Sequence, residues 1–352
     1  MDWFERLTGF REEGYEGTRA KLSLEGDRLR SLVNGASYRV GAFELVSLLT
    51  LRERARTAKR AGKLRVSLAR GDVRAMHREA RCRGALFQVA SQFNMLEMTG
   101  PDVTPEEGVT RYQYDHTQGP ACAIAAGAGT IYRNYFAPVD GGIGQRARRQ
   151  LDGLAAIAVD LSEALGKPAR ELWEMRNGYA LCSRAGLDAI AHFLDKAGPE
   201  AADALRARLA IGVQNDVEVT EAEAEPRPLV SQAFCSALPV AYTGIAPAHW
   251  RPFAMLVLEA AYEATMWAAV LNSGRGASEK VLLTQLGGGA FGNDESWILS
   301  AVRRAIESVS GYDLDVTIVS YAAPSPALLG LVESFTNRDP QPAAKIPPPD
   351  LP

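Results

Sequence analysis

The 352-residue sequence is most informative at first for what it does not contain. Its four cysteines, Cys82, Cys122, Cys182 and Cys235, are scattered and form no C-x-x-C pair. Neither a zinc framework nor a disulfide scaffold is therefore readable. There is no basic surplus: 39 Lys and Arg face 42 Asp and Glu, a formal net charge of -3, which argues against a general nucleic-acid binder. The opening MDWFERLTGFREEGYEG is polar and charged, with no signal-peptide apolar region, so the expected address is the cytoplasm of a bacterium. No apolar run suits a membrane span. The strongest candidate, 252–271, is interrupted by Glu259 and Glu263 and reads as a buried helix.

What remains is the composition of an ordinary folded chain, 47% apolar and 23% charged, long enough for one large domain or two smaller ones. Residues 1–62 read as an accessory cap: Asn34-Gly35 between apolar stretches signals a hairpin. AFELVSLLTLRERARTAKR then carries helical spacing with a basic end. From Lys63 onward strands alternate with helices: KLRVSLARGDV, GALFQVASQFN, RLAIGVQNDVEVT, LVSQAFCSALPVAY, KVLLTQ and LDVTIVSY read as strands. Residues 150–208 read as a mostly helical insertion within a domain of 63–336. The proline-rich 337–352 is expected to be a disordered tail. This alternation predicts an α/β fold, a three-layer α/β/α sandwich on a mixed sheet.

Five stretches carry candidate chemistry. In QLGGGAFGND, Gly287, Gly288 and Gly289 separate a strand from a helix, and Ala290, Phe291, Gly292 and Asn293 complete the turn. Glycines admit close backbone approach, and a helix start presents unpaired N–H groups to a phosphate. No Lys-Ser/Thr pair follows, which excludes a Walker A loop, and the spacing is not G-x-G-x-x-G. A plain tight turn would use the same letters. Asp72, before Val73, sits at a strand end where it either accepts from an adenine amino group or caps the next helix. In VASQFNMLEM, Gln92 and Asn94 are amides at a strand end suited to ribose hydroxyls, and Glu97 is a nearby carboxylate. TRYQYDHTQGPACAIAAG packs Asp115 and His116 just ahead of Gln118, Gly119, Pro120 and Ala121 at a helix start. Such a polar cluster between strand and helix is a candidate site loop. Asp216 and Glu218, two apart on a strand, share a face and suit acid–base work, as would any exposed edge strand.

Taken in order, these elements resemble a macrodomain, the ADP-ribose-binding fold, across roughly residues 63–321. Gly71-Asp72-Val73 resembles the family's adenine-binding element, and Asn94 matches its strand-end asparagine. TQGPACAIAAGAG stands for the first phosphate loop and QLGGGAFGN for the second, with Phe291 as the aromatic on the distal ribose. The middle stretch, YDHTQGPACAIAAGAGTIYRNYF, is most similar to the MavL-like class of arginine-specific mono-ADP-ribosylhydrolases. Gln118-Gly119-Pro120 replaces the usual GGG of the first loop, and the Gly-Gly-Gly...Gln-Glu-Glu signature of poly-ADP-ribose glycohydrolases is missing.

The resemblance implies hydrolysis of the N-glycosidic bond between ADP-ribose and arginine on a modified protein, with no cofactor and no metal. ADP-ribose and an ADP-ribosylated protein are the implied partners, with neither nucleic acid nor membrane. Asp115 is the first choice of catalytic carboxylate, ahead of Glu97 and Asp216. A non-catalytic ADP-ribose reader, or a hydrolase of O-linked or acetylated ADP-ribose, would use the same loops.

Overall fold

The computed structural model describes residues 1–58 and 62–336. The expected tail, 337–352, lies outside the described residues. The chain opens with α1 (Trp3–Thr8), α2 (Tyr15–Ala20) and a small antiparallel sheet of β1 (Leu22–Glu25), β2 (Arg28–Ser31) and β3 (Ser37–Arg39). The β2–β3 turn contains Asn34-Gly35, and Gly35 has φ +74°, as the hairpin reading required.

Next come β4 (Ala42–Ser47) and α3 (Leu48–Ala55). Helical spacing was expected across this whole segment; its first half is instead a strand. Ser47 divides the two, since its side chain accepts from the Thr50 N–H and starts the helix. Although grouped with the cap by sequence, β4 is an edge strand of the central sheet, paired antiparallel with β11 (Ala210–Glu218).

Between them lie β5 (Arg65–Arg70), α4 (Val73–His77), β6 (Leu86–Ala90), α5 (Gln118–Ala125), α6 (Gly127–Tyr135), and the short pair β7 (Pro138–Val139) and β8 (Gly142–Ile143). The insertion supplies α7 (Ala155–Leu165), α8 (Ala169–Leu172), a hairpin of β9 (Trp173–Arg176) and β10 (Tyr179–Cys182), and α9 (Arg184–Ala207), kinked at Gly198. The chain closes with β12 (Leu229–Cys235), α10 (Pro247–Gly274), β13 (Lys280–Leu283), α11 (Glu295–Ser308), β14 (Asp315–Ser320) and α12 (Pro326–Thr336).

The central sheet has seven strands in the order β4-β11-β12-β6-β13-β14-β5. From β12 to β5 all neighbours are parallel, and β11 and β4 add an antiparallel flank. This is the mixed sheet that was expected. Helices α3, α9, α10 and α11 pack together on one face; α4, α5 and α6 pack on the other, giving three layers. By length and hydropathy α10 would suit a membrane span, but it is the core helix: Trp250, Phe253, Val257, Tyr262 and Met266 are fully buried. Glu263 sits inside that core because Arg52 and Arg304 both bind its carboxylate.

Candidate functional site

In parallel sheets, ligands bind outside the carboxyl ends of the strands, where successive connections leave for opposite faces. Strand β6 leads to α5 on one face, and its neighbour β13 leads to α11 on the other. The crevice between them receives the loops after β6, β12 and β13, together with the start of α5.

The glycine loop after β13 is braced from beneath. The Tyr262 hydroxyl donates to the Thr284 carbonyl (2.6 Å) and accepts the Leu286 N–H (2.8 Å). Asn293, buried, donates from Nδ2 to the carbonyls of Leu238 (2.9 Å) and Gly287 (3.3 Å). Gly287 has φ +76°, and a Cβ there would press on Ala237 and Asn293, so the turn requires glycine. With its shape held this way, the loop leaves donors over. The N–H groups of Gly287, Gly289, Ala290 and Phe291 have no acceptor among the described residues. Gly288, Gly289 and Ala290 are exposed.

Across the crevice, α5 begins against the end of β6. Gln118 accepts the Ala90 N–H (2.8 Å) and donates to the Gln88 carbonyl (2.8 Å) and to Cys122 Sγ (3.2 Å). Gly119 lies directly on the Ala90 carbonyl, too close for any side chain. The first-turn N–H groups of Gln118 and Gly119 have no acceptor among the described residues. Pro120 has none to offer, and Ala121 returns its N–H to the Thr117 carbonyl (3.3 Å). Two sets of free backbone donors thus border one crevice, the arrangement that binds anionic oxygens.

Asp115 stands at this helix start. It is half-buried, and its carboxylate accepts the Thr117 N–H (2.8 Å). It also lies within electrostatic reach of Tyr179, whose hydroxyl is pushed far above its ordinary pKa by burial first, then by Tyr242 and Asp115. Tyr179, Tyr242 and Phe291 form a ring cluster with centroids 5.3–5.6 Å apart. The cluster ties the insertion hairpin, the loop after β12 and the glycine loop together. Tyr179 and Tyr242 were missed in the sequence. The Asn177-Gly178 turn before Tyr179, with both residues at positive φ, was the signal that could have found the hairpin.

The loop after β6 differs from its expected role. Gln92 accepts the Met98 N–H (2.6 Å) and donates to Tyr179 (3.3 Å). Asn94, fully buried, accepts the Leu96 N–H (3.1 Å) and donates to Gln150 (2.8 Å). These amides hold a knot and a hairpin in place, each spending one N–H and its carbonyl oxygen on the protein itself. Glu97 is likewise enclosed: both its oxygens face Arg133 Nη2 at 3.2 Å, with both side chains fully buried. Burial pushes the Glu97 carboxyl up to about 7 against the pull of Arg133, and the same burial lowers the guanidinium from its ordinary value. Arg133 also binds the Met95 carbonyl and Gln214, and stacks 3.7 Å from the centre of the Phe234 ring. Glu97 is a structural carboxylate beneath Gly119.

Asp216 is not at the crevice. β11 runs antiparallel to β12, so its end lies at the opposite edge of the sheet. A bulge between Gln214 and Val217 breaks the expected alternation; Asp216 takes φ +57° and binds Arg275 through both oxygens (2.7 and 2.9 Å). Glu218 accepts the Arg39 N–H (2.8 Å). Asp72 is exposed at the end of β5 and accepts the Arg74 N–H (2.9 Å), serving as a helix cap while remaining open to solvent. Val73 behind it is buried. Among the described residues, no three His, Cys, Asp or Glu side chains converge as a metal site. A groove of about 440 Å³ beside β4 lies away from the glycine loop, and its Glu44–Arg54 pair is already closed.

No family model matches the chain, and no curated protein matches it. Among solved structures it is similar to poly(ADP-ribose) glycohydrolase from Deinococcus radiodurans in complex with ADP-ribose, at 13% identity and a TM-score of 0.44, over 84% of this chain and 93% of that one. It is similar also to the Thermomonospora curvata poly(ADP-ribose) glycohydrolase bound to the inhibitor ADP-HPD, at 13% identity and a TM-score of 0.43, over 89% and 94%.

Proposed function

We propose that the protein is a macrodomain-type glycosidase that hydrolyses the N-glycosidic bond between ADP-ribose and arginine on modified proteins. The observation that carries this reading is the pair of unpaired N–H sets, on α5 and on the glycine loop, with Asp115 beside them. A diphosphate suits such a double cradle, because it presents oxygens to both walls at once. The sequence resemblance to the MavL-like class supplies the rest: ADP-ribose as ligand and arginine as leaving group.

In this reading Asp115 accepts a proton from water as that water attacks C1″, the C1″–N bond breaks with its electron pair going to nitrogen, and the neutral guanidine so released takes up the proton from Asp115, restoring the carboxylate. Oxocarbenium character at the ribose is stabilised by the same carboxylate. Asp72 meets the adenine at the far end of the crevice, and Phe291 borders the distal ribose. Gln92, Asn94, Gln118 and Asn293 shape the walls rather than touching ligand through their side chains.

The test is release of free ADP-ribose from peptides modified at arginine, glutamate or serine, and from O-acetyl-ADP-ribose. Turnover of the arginine linkage alone is expected. Tight ADP-ribose binding without turnover of any linkage would make the protein a reader; preference for an ester would make it a hydrolase of O-linked ADP-ribose.

A further inference from the structure

The N-terminal segment reaches the site chiefly through the Glu12 side chain. Glu12 lies in the connection between α1 and α2, and its carboxylate accepts four contacts, all from outside the cap. Both oxygens take the Val109 N–H (2.9 and 2.8 Å), Oε2 takes the Thr110 N–H (2.7 Å), and Oε1 takes the Tyr135 hydroxyl (2.8 Å). Gly108, at φ +80°, lies against the carboxylate at a point where any side chain would collide with it. Trp3 adds a second hold, donating from Nε1 to the Thr110 carbonyl (3.1 Å).

The backbone held here is the start of a single 3-10 turn, Thr110–Tyr114, and the next residue is Asp115. Asp115 closes that turn by donating its N–H to the Tyr112 carbonyl (3.1 Å). Tyr112 is fully buried, and its hydroxyl accepts the Glu97 N–H (3.1 Å), so the far end of the turn is anchored as well. A carboxylate at the N-terminal end of a helical turn satisfies its free donors and complements its dipole. We infer that Glu12 is a positioning residue: by capping this turn from the N-terminal segment it sets where the Asp115 carboxylate stands relative to the phosphate cradle. The inference rests on the proposed hydrolysis for its catalytic consequence, but not for the anchoring itself.

The full-length protein carrying Glu12→Ala tests both parts, with Glu12→Gln as the milder variant because it keeps one acceptor oxygen. Amide hydrogen exchange is expected to rise at 108–116 in Glu12→Ala, to rise less in Glu12→Gln, and to stay as in the wild type at 287–293. With arginine-modified peptide, kcat is expected to fall about tenfold or more while ADP-ribose Kd changes by less than about twofold. Hydrogen bonds to charged groups have the strength to support such a loss.

Unchanged exchange at 108–116 overturns the inference whatever the enzyme does. Raised exchange with unchanged kcat overturns the positioning role. Raised exchange in a protein whose wild type hydrolyses nothing leaves the anchoring standing and removes the hydrolase reading instead.

Discussion

The loops after β6 and after β13 leave the same edge of the sheet from neighbouring strands, yet they spend their backbone differently. In the first, the N–H groups of Ser91, Gln92, Phe93, Met95, Leu96, Glu97 and Met98 find acceptors within the protein, and that of Asn94 alone in this stretch has none among the described residues. In the second, four N–H groups find none among the described residues. The chemically rich letters, Gln, Asn and Glu, belong to the closed loop, and the plain glycines belong to the open one. A binding loop is recognised by the donors it has left over, because a buried polar side chain has to be satisfied by its surroundings before it can serve anything else. The two acids divide in the same way: Glu97 is sealed with Arg133, whereas Asp115 stands at the open crevice.

Asp115→Asn strikes the open side hardest. It should lower kcat by about 10²–10⁴-fold, the usual contribution of a general base, with ADP-ribose affinity unchanged by calorimetry. A variant turning over at the wild-type rate would remove Asp115 from the mechanism. On the closed side, Glu97→Ala should cost about 3–5 kcal/mol in denaturant unfolding, since it leaves Arg133 charged, buried and unpaired. Retained stability with lost hydrolysis would exchange the roles of the two acids.

The closed interior also sets a pH limit. His77, fully buried on Phe87 and bonded to the Val73 carbonyl, is lowered by burial from 6.5 to about 4. A depressed histidine stabilises the fold above its unfolded pKa, and that stability is lost as pH falls from about 6.5 to 4, up to about 3 kcal/mol. Glu97, raised to about 7, acts with the opposite sign between about pH 4.5 and 7. Urea midpoints of His77→Gln against wild type at pH 4.5 and 7 should show a flatter acid limb in the variant.

The smallest effect is expected on the glycine loop. Gly288→Glu places a carboxylate on the exposed cradle without a positive-φ penalty and should weaken ADP-ribose binding by about 10-fold or more, about 1.4 kcal/mol. Unaltered affinity would show that the ligand bypasses this loop.

The order of strands and helices after Lys63, the buried helix and the glycine turn were legible because each follows from local periodicity or from a glycine requirement. The strand Ala42–Ser47 was not: its alternation was too short to separate from the helix that follows, and only pairing with β11 decides it. The side-chain roles were hardest to read. Asn94 and Gln118 are matched by partners 56 and about 30 residues away, and Asp216 by Arg275 after a bulge that no spacing rule announces. Tyr179 entered the site from an insertion that composition alone presented as packing.

The edge position of β4 bears on how this protein can be cut. A chain beginning at Lys63 would keep every loop of the crevice, yet it would strip β11 of its outer partner and uncover Val46's and Leu48's former contacts. The outer side of β11, a largely buried strand still paired with β12, would become an open template for other chains, inviting sheet-to-sheet association in place of a soluble minimal domain. Shortening from the front therefore exposes the sheet once it passes Ala42, and it releases the Asp115 turn earlier still, once it passes Glu12.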